Sequence, residues 1–288
     1  MRKNKPSLTA RKIALAIVTL SIKPGMENVL PVGVAEVTAK LLVAAGVVSR
    51  RVIHMARSKT SLSIYQVFDR MLPGQFEALA QRKAFFEHHV RNAIAEGATQ
   101  VLILGAGYDT LAWRLSEEYP AVNFFEIDHP ATARVKAQGI TVMGKRDNLS
   151  LIAEDLSKRK LVQVLSQSHS WDRLAKTIII AEGLVMYLPP EAVCDLFLHC
   201  SEITGAESQM GFSYLPADKT GRLDIGRWTG LMLFLQKTTG EPWLWGIHPE
   251  RLQLFLSELG WSVDSAKAGT VIKRGAEFFV LASTSVND

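Results

Sequence analysis

One ten-residue run constrains this chain more than any other: Val101-Leu102-Ile103-Leu104-Gly105-Ala106-Gly107-Tyr108-Asp109-Thr110. Four apolar residues read as a buried strand and lead straight into two glycines and a helical pattern. Such a strand, turn and helix make a site for a nucleotide-like ligand. Glycine lets the backbone approach closely, and free N–H groups of the first helical turn attract a negative group. From about residue 97 strand and helix alternate, as in a parallel sheet with crossover helices. Strands are expected at Gln100–Leu104, Asn123–Ile127, Ser150–Ala153, Thr177–Ala181 and Gln209–Tyr214, with helices starting near Tyr108, Pro130, Ser157 and Pro189. Pro130 and Pro189 suit first-turn positions, where a missing N–H costs nothing. Regularity lapses across Pro216–Gly246; a helix His248–Leu259 and strands Trp261–Lys267 and Glu277–Thr284 follow, giving seven strands.

Before residue 95 the pattern is helical, with breaks near Lys23-Pro24-Gly25, Pro31 and Leu72-Pro73-Gly74, and Phe76–Ile94 reads as the helix entering the sheet. The chain therefore divides into a helical cap, 1–95, and a nucleotide-binding domain, 96–288, carrying an insert at 216–246. That insert holds Trp228, Trp243 and Trp245, three of the six tryptophans. A long ordered loop of this kind suits a lid or a substrate wall, and its tryptophans either face an apolar acceptor or pack the lid.

At 288 residues and 48% hydrophobic content the chain can bury a large core. Its two cysteines, Cys194 and Cys200, fall on different faces of one expected helix, unsuited to pairing or to a metal framework. A reduced, cytoplasmic setting and no metal are expected. The first sixty residues carry eleven lysines and arginines against two glutamates, so they stand at +9 and the remainder at −4. A basic lobe is most simply a solvated face, and otherwise a surface for an anionic partner. Aromatic residues are not interleaved with it, which argues against nucleic acid. Ile13–Ile22 lacks the small-residue cleavage site of a signal peptide. Val29–Val48 is apolar but interrupted by Glu36, Lys40 and Pro31, so a packed helix is expected in place of a membrane span.

Open α/β sheets bind ligands at the C-terminal ends of their strands, and four candidates fall there. Gly105 and Gly107 form the first. Asp128, 23 residues beyond Gly105, ends the second strand and suits a pair of ribose hydroxyls better than Glu126 inside it. Glu154-Asp155-Leu156 follows the third strand, where a carboxylate and a backbone N–H read an adenine edge, or Asp155 caps a helix. Glu182 follows the fourth. A carboxylate at the inner end of a buried strand is expensive unless a cationic ligand or an arginine meets it. Tyr187, on an apolar run, reads by itself as a core residue. A dinucleotide fingerprint wants a third glycine where Thr110 stands, and the terminal strand pair favours a methyltransferase sheet.

The ordered set LGAGYDT, FFEIDHP, Glu154-Asp155-Leu156 and AEGLVMYLP resembles the leucine carboxyl methyltransferase family and its bacterial relatives, class I S-adenosylmethionine-dependent O-methyltransferases. Pro6-Ser7-Leu8-Thr9-Ala10, Gln81-Arg82-Lys83, Lys136 and Leu259-Gly260-Trp261 extend the resemblance over the whole chain. It implies an α/β fold, with a seven-stranded mostly parallel sheet and helices on both faces. Gly105 and Gly107 would lie beside the cofactor's methionine portion, and Arg82 would pair with its carboxylate. Asp128 would hold the ribose, Asp155 and Leu156 the adenine, and Glu182 the ammonium or sulfonium. Tyr187 would border the substrate cavity. Relatives commonly carry Arg where Ile17 stands and an acidic motif at Leu30-Pro31-Val32, so acceptor identity does not transfer.

Methyl transfer chiefly needs alignment of acceptor, methyl and sulfur. A carboxylate acceptor needs no base; a hydroxyl needs one, and none is assigned among His88, His89, His129, His199 and His248. The expected activity is O-methylation of a small organic or carrier-bound metabolite. Methylation of a protein C-terminal carboxyl is the alternative, followed by a nicotinamide-dependent oxidoreductase and a non-catalytic scaffold acting through the basic lobe. No oligomeric state follows from the sequence.

Overall fold

A computed structural model describes residues 5–70, 73–156, 158–263 and 270–284. Five helices come first: α1 (Leu8–Leu20), α2 (Val34–Ala44), α3 (Arg50–Ala56), α4 (Lys59–Asp69) and α5 (Gln75–Ala95). The alternating part follows as β1 (Gln100–Leu104), α6 (Leu111–Glu118), β2 (Asn123–Asp128), α7 (Pro130–Met143), β3 (Leu149–Ala153), α8 (Leu161–Leu165), β4 (Thr177–Ala181), α9 (Pro190–Glu202) and β5 (Gln209–Tyr214). The chain continues through α10 (Thr229–Thr239), α11 (Leu252–Ser257), β6 (Trp261–Ser262), β7 (Thr270–Arg274) and β8 (Glu277–Thr284).

The strands form one sheet in the order β3-β2-β1-β4-β5-β8-β6, with β7 also paired to β8. β1 to β5 run parallel and β8 lies antiparallel to β5. The order reverses between β1 and β4, so the loops leaving their C-terminal ends diverge and leave a crevice. Pleating sends alternate residues of β1, β2 and β4 to opposite faces. Leu102, Leu104, Phe125, Ile127 and Ile179 pack against α8, α9 and α11. Val101, Ile103, Phe124, Ile178 and Ile180 pack against α5 and α6 through Phe86, Val90, Leu111 and Leu115. Each such aliphatic side chain contributes about 1.5–3 kcal/mol when fully buried.

The first helices form a second layer. α1 begins at the Ser7 cap, whose hydroxyl accepts the Ala10 N–H at 3.0 Å, and packs with α2 and α3 over Tyr108 and Ile140. α2 lies close along α7 because Gly139 leaves room: a Cβ there would meet Ala45 Cβ at 2.8 Å. His129 caps α7 by accepting the Ala131 N–H at 3.3 Å, and Pro130 takes the first turn.

The sheet holds eight strands, one more than the seven expected; β7, which pairs with β8, is the addition. Strand at Trp261–Lys267 is confined to Trp261–Ser262, and residues 264–269 lie outside those described. The stretch 216–246 is not irregular throughout, since α10 runs through it. α6 starts at Leu111, not near Tyr108; α8 starts at Leu161, Ser157 itself lying outside the described residues. Pro189 caps α9, and Pro190 opens it. The expected helix His248–Leu259 is a short 3-10 turn followed by α11. Cys194 and Cys200 both lie on α9 as free thiols. Among the described residues no helix is long and apolar enough to cross a membrane, and no cluster of His, Cys, Asp and Glu could hold a metal.

Candidate active site

A cavity of about 910 Å³ opens at the C-terminal ends of β1, β2, β3 and β4, within the range typical of small-ligand sites. It brings together Arg82, Gly105, Gly107, Asp128, Asp155, Leu156, Glu182 and Tyr187, every residue singled out from sequence.

The glycine turn is shaped by positive φ angles, +64° at Gly105 and +50° at Gly107, which favour glycine. A Cβ on Gly105 would fall 2.8 Å from Leu184 Cδ1. Four of the turn's N–H groups are already engaged. Gly105 donates to Ile127 O at 2.8 Å and Gly107 to the Asp128 carboxylate at 2.5 Å. Asp109 donates to Ala106 O at 2.9 Å, and Thr110 to the Asp109 carboxylate at 2.7 Å. The sequence suggested free donors for a negative group. Here the backbone and two acidic side chains take the donors of Gly105, Gly107, Asp109 and Thr110, so the turn offers no phosphate cradle through these four groups.

At the closed side of the cavity α5 supplies two adjacent cations. Arg82 Nε donates to Glu182 at 2.9 Å, and its Nη1 to Glu277 at 2.8 Å. Lys83 Nζ lies 3.0 Å from both Asp109 and Glu182. All five side chains are at most 10% exposed. Burial alone would lower the Lys83 pKa, but Asp109 and Glu182 outweigh it and raise it. Burial pushes Asp109 up, yet Lys83, Lys136 and Arg114 together bring it down to about 2. Burial raises Asp128, with the Gly107 N–H opposing. Beside them Tyr187 sits in a 3-10 turn, its hydroxyl pushed up to about 12 by burial, partly offset by hydrogen bonding with Trp243.

The third-strand end is more open. Glu154 accepts the Asp155 N–H at 3.1 Å and pairs with Arg159 at 2.5 Å, while Asp155 lies 3.3 Å from Lys158. One wall of the cavity is apolar, built from Ile13 and Ile17 of α1, Leu79, Met186 and Met232, with Trp243 beside them. Trp245 instead joins the core behind the sheet, and Trp228 is exposed. The insert reaches α1 directly: Glu241 accepts the Thr9 N–H at 2.9 Å.

Sequence reasoning did not assign roles to Lys83, Asp109, Glu241 or Glu277. Asp109 sat inside the glycine motif, and Glu277 opens an apolar strand just as Glu182 ends one, so the same burial argument applied to it. Glu241 gave no signal, since its partner is a backbone N–H 232 residues away.

This architecture is the class I methyltransferase fold. It is similar, at 11% identity and a TM-score of 0.50, to an O-methyltransferase family protein from Burkholderia thailandensis, over 73% of this chain and 61% of that one. It is likewise similar to PigF solved with S-adenosylhomocysteine, at 13% identity and a TM-score of 0.50, over 75% and 61%. The family model for leucine carboxyl methyltransferases matches residues 35–200, and the chain belongs to that family. A Mycobacterium avium protein named "Putative S-adenosyl-L-methionine-dependent methyltransferase" is 31% identical over 153 residues, 53% of this chain and 50% of the relative. A Mycolicibacterium smegmatis protein of corresponding name is 27% identical over 200 residues, 69% and 66%. The chain thus spans about half the length of the first of these curated relatives.

Proposed function

We propose that the protein is an S-adenosylmethionine-dependent O-methyltransferase acting on an oxygen of a small organic or carrier-bound metabolite. The supporting observation is the charge balance of the buried side of the cavity. Within the directly ion-paired cluster two cations, Arg82 and Lys83, meet three carboxylates, Asp109, Glu182 and Glu277, so the cluster itself is one positive charge short, with Lys136 and Arg114 acting on Asp109 from outside it. Uncompensated buried charge is expensive. A sulfonium and an ammonium set against one carboxylate give S-adenosylmethionine the single net positive charge that completes this set. A dinucleotide brings two negative phosphates to a turn where Asp109 and Asp128 already take two of the backbone donors, so the same site opposes it.

Gly105 and Gly107 lie beside the methionine portion in this reading, with Glu182 at its ammonium or sulfonium and Arg82 available to its carboxylate. Asp128 offers an acceptor to the ribose, and Asp155 with Leu156 borders the adenine. Tyr187 stands between this half and the acceptor wall. α1 to α5 and the 216–246 insert act as cap and lid over the domain that follows residue 95. When bound, the cofactor supplies a methyl on a good leaving group. The chain's own residues align the acceptor and exclude water, which strengthens the local electrostatics.

Calorimetry with S-adenosylmethionine, S-adenosylhomocysteine and NADH tests the reading. The two adenosyl ligands should bind, NADH should not, and labelled methyl should transfer to a component of a metabolite extract. Binding of NADH with no adenosyl binding would overturn it. Adenosyl binding without transfer to any fraction would leave a scaffold in place of an enzyme.

A further inference from the structure

Glu241 lines the cavity without an ion pair among the described residues. Glu182 and Glu277 are held by Arg82 and Lys83, and Asp109 by Lys83. Glu241 is 7% exposed and lines the cavity. Its Oε2 accepts the Thr9 N–H at 2.9 Å, and no bond to its Oε1 is found among the described residues. The first turn of α1 supplies that N–H, and the positive end of a helix dipole suits a carboxylate.

The surroundings define what meets that free oxygen. Thr9, Ile13 and Ile17 recur every four residues along α1 and therefore share one helix face; all three line the cavity. Glu241, bonded to the first turn of α1, thus stands at the head of an apolar stripe, and Met232 of the insert's helix lines the same cavity. Arg82 and Glu277 line the same cavity as an ion pair, so Glu241 adds a negative charge that no described cation there pairs with. A carboxylate oxygen that opens on the cavity is a strong acceptor for a donor brought there. A hydroxyl on an apolar body provides one, whereas a second carboxylate meets like charge in a poorly solvated place.

Resting on the methyltransferase reading, we propose that Glu241 is the specificity-determining residue of the acceptor site: its free oxygen takes the hydrogen bond of a neutral hydroxyl on an apolar body, and it turns away carboxylate acceptors. A site built around a hydrogen bond rejects the analogue that cannot make it far more strongly than an apolar pocket rejects a change of shape.

The test is calorimetric, at pH 7.5, using 2-naphthol and 2-naphthoate as a matched pair, with and without saturating S-adenosylhomocysteine. Binding of S-adenosylhomocysteine alone reports on the cofactor reading, and the naphthol-to-naphthoate ratio reports on the acceptor side, so the two can fail separately. Naphthol should bind at least tenfold more tightly than naphthoate. Glu241→Gln keeps an acceptor for the Thr9 N–H while removing the charge, and should bring the ratio below about threefold by admitting naphthoate. Its melting temperature shows whether it is folded; if it is not, the wild-type ratio alone decides. Naphthoate binding as tightly as naphthol, an unchanged ratio in folded Glu241→Gln, or no binding of naphthol at millimolar concentration would each overturn the proposal.

Discussion

Replacing Gly105 by alanine isolates what the glycine turn demands of the sequence. With φ at +64°, an L-residue in the left-handed region costs roughly 1–2 kcal/mol. The added Cβ would also lie 2.8 Å from Leu184 Cδ1 and 3.3 Å from its Cβ and Cγ. Leucine is pushed off its rotamer by such a contact, at about 0.5–1.5 kcal/mol. Together these give about 2–3 kcal/mol, which for a chain of this size lowers Tm by about 3–5 °C. Scanning calorimetry on Gly105→Ala measures it, and a double-mutant cycle with Leu184→Ala separates the parts. In the Leu184→Ala background the Gly105→Ala penalty should shrink towards the backbone share alone. A Tm lowered by less than about 2 °C would refute the turn geometry, and an undiminished penalty beside Leu184→Ala would refute the contact.

Three other perturbations read different parts of the site. Asp109 is held near a pKa of about 2, against about 3.9 for an unfolded carboxylate. Its ionised form therefore adds about 2.5 kcal/mol of stability above pH 4, which is lost as pH falls through about 2, roughly half by pH 3. Urea unfolding should show wild type losing about 1 kcal/mol of its margin over Asp109→Asn between pH 7 and pH 3; a constant margin contradicts the linkage. Lys136 and Glu126 form a buried ion pair at 2.5 Å, both side chains 3% exposed. Lys136→Met should cost about 3–5 kcal/mol, and the double change with Glu126→Leu should recover most of it; equal stabilities of single and double variants in urea would show the pair is not coupled. Asp128→Ala should weaken S-adenosylhomocysteine binding by about 1–3 kcal/mol in calorimetry, and an unchanged Kd would remove Asp128 from the ligand's surroundings.

The elements legible in the sequence are those buried on both faces. β1, β4 and β5 match their expected spans to the residue: β1 and β4 are near-continuous apolar runs with turn residues after them, and β5 alternates Met210, Phe212 and Tyr214 with small or polar residues. β7 is different: Thr-Val-Ile-Lys-Arg pairs only with β8, and each of its residues is exposed or only partly buried, so no burial pattern marks it. α10 escaped for a related reason. Leu231, Phe234 and Leu235 are exposed while Met232 and Gln236 line the cavity, which leaves no polar stripe to set against an apolar one.

The site shows the same division between what is local and what is paired at a distance. Strand ends announce themselves, so Gly105, Asp128, Asp155 and Glu182 could be placed on one edge from spacing alone. Their partners could not, since Arg82 meets Glu182 across 100 residues and Glu277 across 195. The burial argument for Glu182 allowed either an arginine or a cationic ligand, and the fold supplies the arginine. Pair by pair, that answer would dispose of the ligand. Over the whole network it does not, because Arg82 is shared with Glu277 and Lys83 with Asp109. Each carboxylate has a partner, yet the set remains one positive charge short. The case for a cationic ligand therefore rests on the sum over five side chains, a quantity that no single motif contains.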